Sequence, residues 1–190
     1  MSAVMAAAAE APYHIHRHPS ALIERVSLAD GRMVMVRPVL PQDAQAEQSF
    51  IKALSPRSRR LRFHGALNAL PDEVLRAMTA IDYRRHVALV AEAIDTEGCE
   101  RLVADARYVV NADGGAEFAI AVADDWQRLG LGRAMLRGLA RQARRQGLRR
   151  LEGSILIGNE AMLALMRGWG AVFRLDPENE DALIASLSLD

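Results

Sequence analysis

The chain of 190 residues holds one cysteine, Cys99. A single thiol excludes an intramolecular disulfide framework and any metal site built from several cysteines. An excess of charge is also lacking: 24 Lys and Arg balance 24 Asp and Glu, for a formal net charge of zero. Nothing global therefore draws the chain toward nucleic acid or a charged membrane. No run reaches the roughly 20 apolar residues needed to span a bilayer. Residues 1–11 are alanine-rich but lack the basic start and long apolar core of a secretory signal. A reducing cytoplasm fits these absences. Residues 1–20 read as a flexible leader. His14, His16 and His18 alternate there, but no cysteine or carboxylate pair completes a metal site. There is no internal repeat and no long linker. What the chain does have is apolar material: 51% of it is hydrophobic and 25% charged, which suits one domain over residues 21–190 with a real core.

Turn residues divide that domain. Residues 22–28 and 32–39 read as strands around Asp30-Gly31, a hairpin signal because glycine accepts positive φ. Residues 43–54 carry Ala44, Ala46, Phe50, Ile51 and Leu54 at helical spacing. Ser55-Pro56 suits an N-cap and first helical position, opening a basic segment over 57–64. A short helix is expected over 71–80, with Asp72 and Glu73 in its first turn. Strands over 86–94, 101–110 and 116–123 follow at meander spacing. A helix over 130–146 ends at Gly147, and a strand over 149–157 leads to a helix over 159–167. Final strands over 171–175 and 182–189 flank a loop at 176–181. This order predicts an α/β domain with a mixed, mostly antiparallel sheet flanked by helices.

The stretch that carries chemistry is 119–140, AIAVADDWQRLGLGRAMLRGLA. A buried-looking strand enters a short loop, and the loop opens a helix. Gly130 and Gly132 let the backbone approach a ligand closely. The free N–H groups and partial positive charge of the helix start suit phosphate, and Arg128 and Arg133 add charge. A dinucleotide fingerprint would need a third glycine where Met135 stands, and the Gly-Lys-Ser/Thr of a P-loop is absent.

Gln127, Gly130 and Gly132 match the Gln/Arg-x-x-Gly-x-Gly/Ala pattern, and the surrounding element order matches as well. On these residues the chain resembles the GNAT superfamily of N-acetyltransferases over about four-fifths of its length. The resemblance implies a sheet splayed between the strands at 116–123 and 149–157. It implies acetyl-CoA as co-substrate, its pantetheine arm paired with the backbone of Ile120, Ala121 and Val122. The pyrophosphate would lie on the N–H groups of Arg128, Leu129, Gly130, Leu131, Gly132 and Arg133, with Asn159 bonding the arm and Met162 lining the channel. Asn159 is equally natural as an N-cap before Glu160.

An amine must be neutral to attack, so a partly desolvated carboxylate is needed as base. Glu117, at the start of the splayed strand, resembles the glutamate base of bacterial protein lysine acetyltransferases. The N–H of Val122 is the expected oxyanion donor. A tyrosine acid common in the superfamily would fall at Met166, so that acid is missing, and Tyr13, Tyr83 and Tyr108 do not match its place. Ser55, Ser58, Arg62 and Phe63, followed by Asp82-Tyr83, resemble the acceptor wall of the same lysine acetyltransferase group; Arg62 reads alternatively as a structural residue tied to a carboxylate. The expected reaction is direct attack by a primary amine, such as a protein lysine, in a ternary complex. A small-molecule acceptor and a non-catalytic acyl-CoA sensor are the alternatives, and a homodimer stays open. Neither a metal, nucleic acid nor a membrane is expected as partner. The arginines at 133, 137 and 141 share a helix face and read as solvated. Trp126 and Trp169 read as packing residues.

Overall fold

The computed structural model describes residues 20–65, 69–94 and 98–190. The leader, with its three histidines and Tyr13, lies outside the described residues. Among the described residues eight strands form one sheet in the order β1-β2-β3-β4-β5-β6-β8-β7. They are β1 (Glu24–Ser27), β2 (Met33–Pro38), β3 (His86–Ile94), β4 (Glu100–Val110), β5 (Ala116–Val122), β6 (Arg150–Leu156), β7 (Val172–Asp176) and β8 (Asn179–Ser188). Every pairing is antiparallel except β5 with β6. The helices are α1 (Ala44–Ala53), α2 (Pro56–Phe63), α3 (Asp72–Thr79), α4 (Leu131–Arg145) and α5 (Glu160–Arg167).

Two cores sandwich the sheet. The larger joins β1 to β6 and β8 to α4 and α5 through residues such as Leu89, Phe118, Ile120, Met135, Leu139, Leu151 and Met166. The smaller packs Phe50, Ile51 and Leu54 of α1 and its C-cap, with Leu75 and Met78 of α3, against Ala88, Val90 and Ala121. Helix α4 owes its seat to Leu131, Ala134, Met135, Gly138, Leu139 and Ala143, a buried stripe at helical spacing. Gly138 lets α4 sit close to β3, since a Cβ there would stand 2.8 Å from Leu89 Cδ1 and the leucine would have to shift. The basic stripe is partly engaged: Arg137 and Arg141 both pair with Glu24 of β1.

One expected loop is corrected. Residues 176–181 read as a loop, whereas β8 starts at Asn179 and pairs with Asp176 of β7. Asp176 accepts the Glu178 N–H and Asn179 accepts the Asp181 N–H, so the acidic run turns tightly. This hairpin lies at the sheet edge with exposed residues on both faces, where the alternation that marks a half-buried strand does not arise.

Candidate active site

The sheet parts where β5 meets β6. Only Ala116↔Leu151 and Glu117↔Glu152 pair in parallel, although both strands run on for several residues. Phe118 begins the gap: its ring covers Gly153, where a Cβ would lie 2.8 Å from Cε1. On the other side β5 is fully paired with β4, and Ala123 donates its N–H to the Val103 carbonyl at 2.8 Å. Strand alternation then turns the backbone groups of Val122 and Ile120 away from β4, toward the gap. The expected splay is present, with Ile120 and Val122 presenting backbone to it and Ala121 bonding within the sheet.

The loop beyond β5 is shaped for anions. Arg128 has φ of 60° and Gly130 φ of 91°, two left-handed residues in the turn just before α4. Successive N–H groups in such a turn converge as a nest. Gly130 is the N-cap of α4 and supplies no side-chain cap. Leu131 is buried in the core, so only its backbone can face a ligand. Leu129 packs on the core and its carbonyl accepts the Ala29 N–H at 3.1 Å. Arg128 and Arg133 are exposed, and neither forms an ion pair among the described residues. A Cβ on Gly132 would meet only Leu165 Cδ2 at 3.8 Å and Val122 Cγ2 at 3.9 Å, so α4, α5 and β5 converge at this point.

The loop is braced from two sides. Arg32, from the β1–β2 hairpin, stacks 4.0 Å from the Trp126 ring and donates to the Asp125 carbonyl at 3.0 Å. From α2, Ser55 and Ser58 reach Asp124, and Gln127 Nε2 donates to Ser58 Oγ at 3.2 Å and to the Val122 carbonyl at 3.0 Å. Gln127 thus fixes the strand end to the loop. Asn159 caps α5, accepting the Met162 N–H at 3.3 Å, and Met162 is half-buried against the larger core.

Glu117 is half-buried and shares a face with Ala119 and Ala121, opposite Val109, Arg107 and Asp105 of β4. This is the face covered by α1–α3. His64, which sequence reasoning left without a role, comes to the same region: it ends α2 with φ of 56°. Burial, then the charge of Arg62, holds its imidazole below the ordinary value; Asp176, the Ser154 backbone and Glu117 pull it the other way. The one signal in sequence is His64-Gly65 at a helix end, since histidine tolerates the left-handed region better than most residues.

Behind Glu117 lies a buried charge cluster. Arg107, fully buried, donates to Glu47 at 2.7 Å, to Asp105 at 2.5 Å and to the Met78 carbonyl at 2.9 Å. Arg62 approaches Asp105 at 3.7 Å, so it is buried and tied to a carboxylate in the way its structural alternative describes. Burial, then the charge of Asp105, pushes Glu47 up to about 8. Among the described residues the tyrosine hydroxyls are committed elsewhere: Tyr83 donates to the Val39 carbonyl and Tyr108 to Gln146 at 2.8 Å. Met166 is fully buried. Among the described residues no cluster of His, Cys, Asp and Glu is arranged to hold a metal, and no helix is long and apolar enough to cross a membrane.

A mostly antiparallel sheet, opened beside a glycine-bearing helix start, is the architecture of acyl-CoA-dependent N-acyltransferases. The particular kinship follows from comparison with known proteins: the acetyltransferase (GNAT) family model matches residues 57–171, and the chain belongs to that family. An acetyltransferase of Pseudomonas aeruginosa is 36% identical over 164 residues, covering 86% of this chain and 88% of that one. The acetyltransferase Pat of Mycolicibacterium smegmatis is 30% identical over 151 residues, 78% of this chain but 44% of the relative. Among solved structures, the GNAT domain of S. lividans PAT superposes with a TM-score of 0.80 at 26% identity, covering 90% of this chain and 99% of that domain. A cAMP-binding acyltransferase from Mycobacterium smegmatis gives a TM-score of 0.60 at 26% identity, with this chain spanning 49% of it. The chain is therefore an acyl-CoA-dependent N-acyltransferase, as its sequence led us to expect.

Proposed function

We propose that the chain transfers an acetyl group from acetyl-CoA to the side-chain amine of a protein lysine. The observation that carries this reading is the open edge of β5 leading directly into the left-handed loop at 127–133. The N–H groups of 128–133, with Arg128 and Arg133, hold the pyrophosphate. The outward backbone of Ile120 and Val122 pairs with the pantetheine arm, alongside Ala121, Asn159 and Met162. Acetyl-CoA supplies the activated acyl group. The chain's own part is to bind it, orient it and move protons. The Val122 N–H stabilises charge on the thioester oxygen as the amine attacks. Glu117 accepts the amine proton, directly or through water. With no tyrosine at the Met166 position, water protonates the departing thiolate.

A protein acceptor is favoured by the α2 segment. Ser55, Ser58 and Phe63 match the acceptor wall of bacterial protein lysine acetyltransferases, with Arg62 of the same pattern tied to Asp105 behind it, and the structural neighbour from S. lividans carries the name PAT. The test is mass spectrometry of lysine-containing proteins and of small amines after incubation with acetyl-CoA. New acetyl-lysine is expected on protein. Acetylation confined to small amines would overturn the acceptor assignment. Glu117→Gln is expected to bind acetyl-CoA as the wild type does while turnover falls by about 10²–10⁴. Full turnover in that variant would remove Glu117 from the base role.

A further inference from the structure

Asp124 stands between the two halves of the site. Its carboxylate takes three donors from the start of α2: the Ser55 N–H at 2.9 Å, the Ser55 hydroxyl at 2.7 Å and the Ser58 hydroxyl at 2.7 Å. Ser58 in turn accepts from Gln127, which also holds the Val122 carbonyl. A continuous chain of hydrogen bonds therefore runs from α2 through Asp124 and Ser58 to the loop and to the end of β5. Desolvation opposes ionisation of Asp124, but the Ser55 N–H and the two hydroxyls outweigh it and hold the carboxyl below its ordinary value. The charged form is the one that accepts all three bonds.

Nothing in this arrangement is needed to form the helix. Ser55 already caps α2 by accepting the Ser58 N–H at 3.1 Å, and Pro56 occupies the first turn. The loop likewise has its own brace in Arg32 and Ala29 on the opposite side. What the Asp124 bonds add is a tie between two elements that are separately formed and far apart in sequence.

We propose that Asp124 is a positioning residue that makes the acceptor wall and the coenzyme loop one mechanical unit, so that acetyl-CoA seated on the loop also orders α2. This rests on the coenzyme reading of the loop given above. Its consequence is that the wall facing the incoming amine is set in place when the thioester is present.

Hydrogen–deuterium exchange of the full chain, with and without acetyl-CoA, tests it. In the wild type, acetyl-CoA is expected to slow exchange at 127–133 and, by about fivefold, at the amides of α2, in keeping with a gain of order one hydrogen bond. Asp124→Asn replaces an acceptor oxygen with a donor. In that variant the slowing is expected to persist at 127–133 and to vanish at α2. Ser58→Ala is expected to give the same pattern, and Ser58→Thr to restore the wild-type response. If Asp124→Asn speeds exchange in both states but leaves the coenzyme-dependent difference at α2 intact, the residue is only structural and the proposal fails. Slowing at the loop without slowing at α2 in the wild type also overturns it. If the wild type shows slowing at neither place and calorimetry detects no acetyl-CoA uptake, the coenzyme reading fails and takes the proposal with it.

Discussion

Gly130 and Gly132 stand two residues apart and do different work. Gly130 has φ of 91°, where a Cβ crowds the backbone, although no neighbouring atom lies within 4 Å of that Cβ position. Gly132 has ordinary φ and loose surroundings, its imagined Cβ lying 3.8 Å from Leu165. Gly130→Ala is therefore expected to lower stability by about 1–2 kcal/mol in urea unfolding. Gly132→Ala, inside a helical turn, should be neutral or stabilising by up to about 1 kcal/mol. The spacing of these residues was legible in the sequence, but the left-handed φ of Arg128 was not, because arginine carries no signature of that conformation. His64 was equally hidden, since its nearness to Glu117, Ser154 and Asp176 arises only when distant strands come together.

Among elements, β5 and β6 decide whether there is a cleft. Gly153 lies just past their last paired residues and receives the Phe118 ring; its imagined Cβ would also approach the Phe118 carbonyl at 3.1 Å. The ring can turn, but the carbonyl belongs to the strand itself. Gly153→Ala is expected to destabilise by about 1–3 kcal/mol in urea unfolding, as overpacking does. Element identity was largely legible, because Ser55-Pro56, Asp30-Gly31 and Gly147 mark boundaries through local backbone chemistry. The β7–β8 turn was missed because its acidic residues make the same local bonds in a loop and in a tight hairpin. The extent of the splay needed the fold: strand register depends on partners that no local pattern encodes.

For the whole molecule, two buried groups shape stability against pH in opposite senses. Glu47, pushed up to about 8 from an ordinary 4.5, binds its proton more tightly when folded, so stability falls as pH rises from about 4.5 to about 8. His86, pushed down to about 3 from 6.5 by burial and then by Arg107, stays neutral when folded, so stability falls as pH drops from 6.5 toward 3. The two together place the most favourable range for this pair between about 4.5 and 6.5. Glu47→Gln should flatten the alkaline limb: its melting temperature relative to the wild type rises between pH 5 and pH 8. Thermal melts across that range check it, and parallel curves for the two proteins would refute it. The sequence held the four charged residues of this cluster but not their meeting, since Glu47, Arg62, Asp105 and Arg107 come from three different elements.

The large sheet is, in its connectivity, two fully antiparallel ribbons, β1 to β5 and β6-β8-β7, stitched by two residue pairs. Flexing one ribbon against the other breaks almost no backbone hydrogen bonds, whereas flexing within either would break a whole ladder. Compliance in the backbone hydrogen bonding is therefore concentrated along one seam, the one that borders the gap.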